Sequence, residues 1–93
     1  MLRALLARLF GGSAAAPPEE DPVEYNGYSI RPTPFPRLGQ YQTSGIIEKE
    51  IGGAVKEHRF VRAETHSSRE EAIAYSVVKA KQIIDEQGDR IFG

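Results

Sequence analysis

No cysteine occurs in the 93 residues of this chain. That absence excludes a disulfide framework and any thiolate metal site, so stability has to come from packing. An excess of one charge is missing too, the formal net charge being -1. Two arginines meet three acids over residues 1–22, and the remainder balances ten basic against ten acidic side chains. Proteins that grip nucleic acid by neutralising phosphates carry a net basic domain or a basic stripe, and here the bulk charge supplies no such pull. Long apolar runs are also lacking, and none approaches the roughly 20 residues needed to span a bilayer.

The motifs of common chemistries are absent as well. There is no glycine loop with its lysine to cradle phosphates, and no pair of carboxylates that two strands would clearly bring together. His58 and His66 are the only histidines, and their spacing matches no standard metal site. His66, Ser67 and Ser68 adjoin in sequence, but a nucleophile and its base need spatial opposition and a third orienting group, whereas helix capping accounts for both serines. A helix-turn-helix needs two adjacent helices, and only one long helix is written in the domain. The chain therefore reads as non-catalytic, with no cofactor, no metal and no small-molecule substrate.

At 40% hydrophobic and 27% charged residues the composition is that of one soluble domain, too short for two cores. Residues 1–12 form an amphipathic N-terminal segment, with Leu2, Leu5, Leu6, Leu9 and Phe10 on one side, Arg3 and Arg8 flanking, and Gly11-Gly12 as the stop. So short a helix is not stable alone in water. It is expected to order against its own domain, a partner subunit or a membrane surface, a frayed terminus being the plainer alternative. A secretory signal is disfavoured, since Arg8 interrupts the apolar stretch. Residues 13–22 mix small residues, prolines and acids and read as a linker, which leaves 23–93 as the folded domain.

Within that domain Asn26-Gly27, between Val23-Glu24-Tyr25 and Tyr28-Ser29-Ile30, is the favoured pair for a tight turn with positive φ at both positions. Pro32, Pro34 and Pro36 predict an extended connector through Arg31–Gly39, with Phe35 anchored in the core and no central strand. A strand over about Gln40–Glu50 and another over about Val55–Glu64, joined at Gly52-Gly53, predict an antiparallel hairpin. Alternation in the last strand gives no clean core face. Phe60 inward is favoured; with Val61 and Ala63 inward, Phe60 would instead lie exposed among Lys56, His58 and Arg62.

The helix is the clearest element. Ser67-x-x-Glu70 and Ser68-x-x-Glu71 are overlapping capping boxes, Ala72, Ile73, Ser76, Val77, Ala80, Ile83 and Ile84 fall on one face, and Gly88 is placed for a left-handed stop. The small row Ala72, Ser76, Ala80 would let the axis lie close to the strands, and Ile91 and Phe92 are expected to fold back. The expected fold is α+β: an antiparallel sheet of about three strands packed on one face by a single long C-terminal helix, Ser68–Gln87, in β-β-β-α order.

Asp85, Glu86 and Asp89 sit at the negative end of that helix, where acids are unfavourable by about 0.3–1 kcal/mol each. Two compensations are open. Lys81 with Asp85 and Glu86 with Arg90 would make local ion pairs at i+4, or the acids form a docking patch for a basic partner. On the outward helix face Tyr75 and Val78 are the sizeable apolar groups, which suit either a seat for the N-terminal segment or half of a two-fold interface.

Several stretches together resemble the HlyU-type family of small bacterial proteins. These are Glu24-Tyr25-Asn26-Gly27-Tyr28-Ser29-Ile30, Gly39-Gln40-Tyr41 with Gly45 beyond it, His58-Arg59-Phe60-Val61-Arg62-Ala63, Ser67-Ser68-Arg69-Glu70-Glu71-Ala72, and the run Lys79 to Phe92. Leu9-Phe10-Gly11-Gly12 is similar to that family's start. The resemblance implies a bacterial, cytoplasmic transcriptional activator. The strand and helix order is also similar to the C-terminal half of double-stranded-RNA-binding domains, but those place lysines at the helix start, where this chain has Arg69-Glu70-Glu71. If DNA is touched, Lys56, His58, Arg59 and Arg62 are the expected phosphate contacts. The competing class is a protein-interaction module, alone or as a homodimer, that uses Tyr75, Val78, Asp85, Glu86 and Asp89.

Overall fold

The computed structural model describes residues 21–93; the amphipathic segment and most of the linker expected from the sequence lie outside them. Five strands precede one long helix: β1 Val23–Tyr25, β2 Tyr28–Pro32, β3 Phe35–Arg37, β4 Gln40–Ile51, β5 Ala54–His66 and α1 Arg69–Gln87, followed by a short 3-10 helix, Gly88–Phe92. Every pairing is antiparallel, β1 with β2, and β2, β3 and β5 with β4. The fold is α+β as expected, but the sheet has five strands rather than about three.

Turn chemistry explains the two extra strands. Asn26 and Gly27 take φ of 52° and 85° and close the β1–β2 hairpin, the geometry in which this pair matches strand twist. Past β2 the prolines do not hold a free connector. Leu38 and Gly39, at φ 52° and 80°, close a second tight turn, and Phe35–Arg37 pairs with Gln40–Gln42. Thr33 N–H still reaches Ser44 O at 2.9 Å, so β2 and β3 run along one flank of β4 as a strand broken by its prolines. Phe35 was expected in the core; it lies on this edge, 37% exposed, because its pairing with Gln42 puts it on the face turned away from α1.

The β4–β5 hairpin turns at Gly52-Gly53, both with positive φ. Its register is regular from Ala54 to Val61 and then shifts: Ser44 pairs with Val61 but Gln42 with Thr65, so Thr43 alone faces residues 62–64. Cross-strand partners share a face, which puts Ile30, Ile47 and His58 together and Gly45 with Phe60. That is the helix side. Tyr28, Ile30, Ile47 and Phe60 join Ala80, Ile83 and Ile84 in one core, with Val77, Ile91 and Phe92 packed against it. Phe60 therefore points inward, as favoured, and Val61 is 58% exposed on the other side.

α1 opens and closes as its sequence dictates. Ser68 is extended and its Oγ accepts the Glu71 N–H at 3.1 Å, with Glu70 and Glu71 in the first turn. Gly88, at φ 58°, donates its N–H to Ile84 O and ends the helix. Ser68→Ala is expected to lower stability by about 1 kcal/mol, measurable as a shifted urea midpoint with unchanged slope, and Ser67→Ala by much less. The small row lies flat on the sheet: Ala72, Ser76 and Ala80 are each fully buried. Ser76 Oγ donates to Ala72 O at 2.7 Å and accepts the Ser44 N–H at 3.2 Å, which ties the helix to the middle of β4.

Candidate functional site

Two surfaces were expected to bind, and the sheet arranges each differently from a linear reading. On β5, Lys56 pairs with Lys49 and His58 with Ile47, so both point to the helix side. Arg59 pairs with Ile46 and points to the opposite face, where its guanidinium stands 3.6 Å from the Glu57 carboxylate. Arg62 lies in the irregular stretch opposite Thr43, and its carbonyl accepts the Gln42 amide at 2.8 Å. All four sit on one edge strand, which pairs with β4 alone. Its two-residue period divides them between both faces instead of gathering them into one stripe.

The acids at the end of α1 find their partners across the fold, not along the helix. Asp85 accepts the Tyr25 hydroxyl at 2.9 and 3.1 Å, while Lys81 lies over the Tyr25 ring at 5.1 Å. Asp89 accepts from the Tyr28 hydroxyl and from Lys49 Nζ at 3.0 Å, and Lys49 also caps the Tyr28 ring at 4.6 Å. Arg90 reaches back to the carbonyls of Glu86 and Gln87, at 3.2 and 3.3 Å, a third way of compensating the helix end. The expected i+4 pairs are thereby replaced, because tyrosines and a lysine on the sheet lie under the helix terminus. Of the expected acidic patch, Asp85 and Asp89 hold α1 in place, and Glu86 stands exposed.

These ties set the titration behaviour. The hydrogen bond from Tyr28, then that from Lys49, holds the Asp89 carboxyl below its ordinary range. The hydrogen bonds to Asp85 and Asp89 raise Tyr25 and Tyr28, and Asp89 raises Lys49. A lowered carboxyl stabilises the fold above its unfolded value and loses that contribution as pH falls through the folded one; raised tyrosine and lysine values stabilise below about pH 10 and lose it above. Stability is expected to be flat between these limits and to fall as pH drops below about 4. Asp89→Asn should flatten the acid limb of urea midpoints against pH. An unchanged limb would show the tie to be inert, and added salt should weaken it because the groups are exposed.

At the other end of α1, the Tyr75 ring meets the His66 ring at 4.9 Å in a tilted arrangement, and His66 Nε2 meets the hydroxyl of fully buried Thr43 at 3.3 Å. Tyr75 is thus half-buried and held in place, with Lys79 over its ring at 5.3 Å, while Val78 beside it is 49% exposed. Tyr25, Tyr28, Lys49 and Thr43 were not singled out by sequence reasoning. The Asn-Gly turn does make Tyr25 and Tyr28 cross-strand neighbours, but nothing local says that the helix end arrives above them.

Among the described residues no cluster of three or more histidines and carboxylates could hold a metal ion, and no helix is long and apolar enough to cross a membrane. The described residues present a charged edge strand and the outward side of a helix. The family model described as transcriptional activator HlyU matches residues 4–92, and the chain belongs to that family. No curated protein and no solved structure matches the chain.

Proposed function

We propose that this chain is a non-catalytic regulator of transcription that works through a protein partner docked on the outward side of α1, around Val78, Tyr75 and Glu86. The observation behind this reading is the split of the basic residues. Gripping a duplex requires cations that meet neighbouring phosphates together, and Arg59 faces away from Lys56 and His58. The outward helix side combines a preset aromatic, an exposed valine and a free-standing glutamate, a mixture suited to a partner with an apolar centre and a basic rim. The test is a reporter gene under control of the chain. Val78→Asp and Glu86→Arg, at exposed positions, should abolish activation while leaving the urea midpoint unchanged; full activation by both would overturn the reading.

A second reading, direct contact of Lys56, His58, Arg59 and Arg62 with phosphates, draws support from their common place on an exposed edge strand. Fluorescence anisotropy of labelled duplex DNA at several salt concentrations separates the two. Binding by the chain alone that weakens steeply with salt favours the second reading, and absence of binding at low salt removes it.

A further inference from the structure

The two flanks of the sheet end differently. On the β2 side the outermost strands are short, three residues each in β1 and β3, and Pro32, Pro34 and Pro36 remove backbone donors. Short strands and prolines are two of the devices by which natural sheets blunt an edge. On the other side stands β5, 13 residues long, without proline, and paired among the described residues with β4 alone. Most of its side chains are exposed. The backbone groups along the outer side of such a strand are a template for another strand, and the register of β5 is regular from Ala54 to Val61.

Charge is the remaining defence of such an edge, and on β5 the charges are ordered so that they match themselves. Alternate residues on the face away from α1 are Val55, Glu57, Arg59 and Val61. Turned antiparallel about His58, that series meets its own copy with valine opposite valine and glutamate opposite arginine. On the helix side Lys56 then meets Phe60, and His58 meets His58. Neighbouring registers lose the match. Centring on Glu57 opposes two glutamates, and centring on Arg59 opposes two arginines and sets Lys56 against Arg62; like charges directly opposite are destabilising. Within one chain Arg59 already stands 3.6 Å from Glu57, yet 74% and 44% of their side chains stay exposed. Pairing therefore adds a second opposite charge to each, so that four charges alternate around the axis. Val55 and Val61, 50% and 58% exposed in the single chain, cover each other.

We propose that two copies of this chain join by antiparallel pairing of residues 55–61 of β5, about a two-fold axis at His58 perpendicular to the sheet. The same patch then serves both copies, the two sheets become one, and both copies of α1 lie on one side of it. The outward side of α1 takes no part, so the pairing holds whether or not a partner docks there. Residues 55–61 are fewer than the roughly 20–30 residues a side of a standard interface, and the dimer should dissociate on dilution.

Light scattering of the full chain over a dilution series should give a two-chain mass that falls to one chain at low concentration. Glu57→Arg and Arg59→Glu, each alone, oppose like charges across the axis and should stay monomeric throughout, with urea midpoints close to the parent's. Mixed in equal amounts they should regain the two-chain mass, because each then faces its opposite. Neither variant keeps the ion pair within its own chain, so the recovery can come only from contact between chains. Cysteine placed in this cysteine-free chain reports the register. Directly opposed residues lie about 4.5–5.5 Å apart at Cα, within disulfide reach, so Val55→Cys and Val61→Cys chains, mixed and oxidised, should link to each other far faster than either links to its own kind. Four results would overturn the proposal: a one-chain mass for the parent at every concentration, a two-chain mass that both charge variants keep, a mixture of the two that stays monomeric, or Val61→Cys linking to its own kind as fast as to Val55→Cys. The second of these would mean that another surface joins the copies.

Discussion

Phe60→Ala is expected to destabilise the domain by about 3–5 kcal/mol, while Val61→Ala, one residue on, should change stability by less than about 0.5 kcal/mol. The two residues are neighbours in sequence and opposites in the fold: Phe60 is 7% exposed in the core and Val61 is 58% exposed. Phe60 also has a partner that no other side chain can replace. Its ring lies over Gly45, where an added Cβ would stand 2.6 Å from the ring. The glycine makes room for the phenyl group, and the phenyl group covers backbone that the glycine leaves bare. Losing the ring therefore opens a cavity and exposes that part of β4 together. Small domains hold about 5–15 kcal/mol in all, so the alanine variant gives up a large share of the total and its urea midpoint should fall sharply. Urea melts followed by far-UV circular dichroism would show this; equal midpoints for the two alanine variants would mean that β5 packs with its other face inward.

Ser76→Leu should be nearly as damaging, through two additive routes. The row Ala72, Ser76, Ala80 has no spare volume under it, since all three are fully buried, and forcing a larger group into such a seam costs about 1–3 kcal/mol. The hydroxyl is also the acceptor for the Ser44 amide at 3.2 Å. An orphaned buried donor adds about 1–3 kcal/mol. Ser76→Ala separates the routes, because it removes the acceptor and keeps the fit, and it should show the smaller loss. Hydrogen exchange at Ser44 is the direct readout: its amide should lose protection in Ser76→Ala even where the rest of β4 keeps it. If Ser44 exchanges as slowly in Ser76→Ala as in the parent chain, the helix is not pinned to β4 at that point.

Sequence and structure agree where signals are local. The Ser68 cap, the Asn26-Gly27 turn and the Gly52-Gly53 reversal each rest on residues whose own conformational preferences select the backbone path, and each was legible. The second tight turn was not. Leu38-Gly39 takes the same path as Asn26-Gly27, but leucine rarely adopts positive φ, so its sequence carries no turn signal. The prolines then read as a connector, although β3 needs only to flank β4 at an edge, where missing donors are tolerated. Phe35 is the same case: its apolar character predicts burial, but its pairing with Gln42 sets it on the face away from α1.

The candidate sites show a similar division. Lys56, His58, Arg59 and Arg62 are close in sequence, and the strand assignment with its two-residue period already implies that they alternate. What sequence could not supply is the irregularity opposite Thr43, a property of two strands at once. The acids at the helix end pose the same problem from the other side. Their unfavourable place on the helix dipole was plain, and so was the need for a compensating group. Local i+4 partners were available and were not the ones used, because the hydroxyls of Tyr25 and Tyr28 and the ammonium of Lys49 were already held beneath the helix end by the sheet.

By itself, then, the amino-acid order determined one capped helix with a narrow face of small residues, the long hairpin before it, and the lack of any thiolate or phosphate-loop chemistry; these depend on short-range preferences and composition. Only the tertiary structure decided which side of β5 is buried, that Gly45 and Phe60 are partners, that the basic residues part company across the sheet, and that Asp85 and Asp89 tie the helix down. Each of those outcomes is set by groups far apart in the chain that meet only when α1 settles on β4, and contacts of that kind leave no periodicity for a sequence to display.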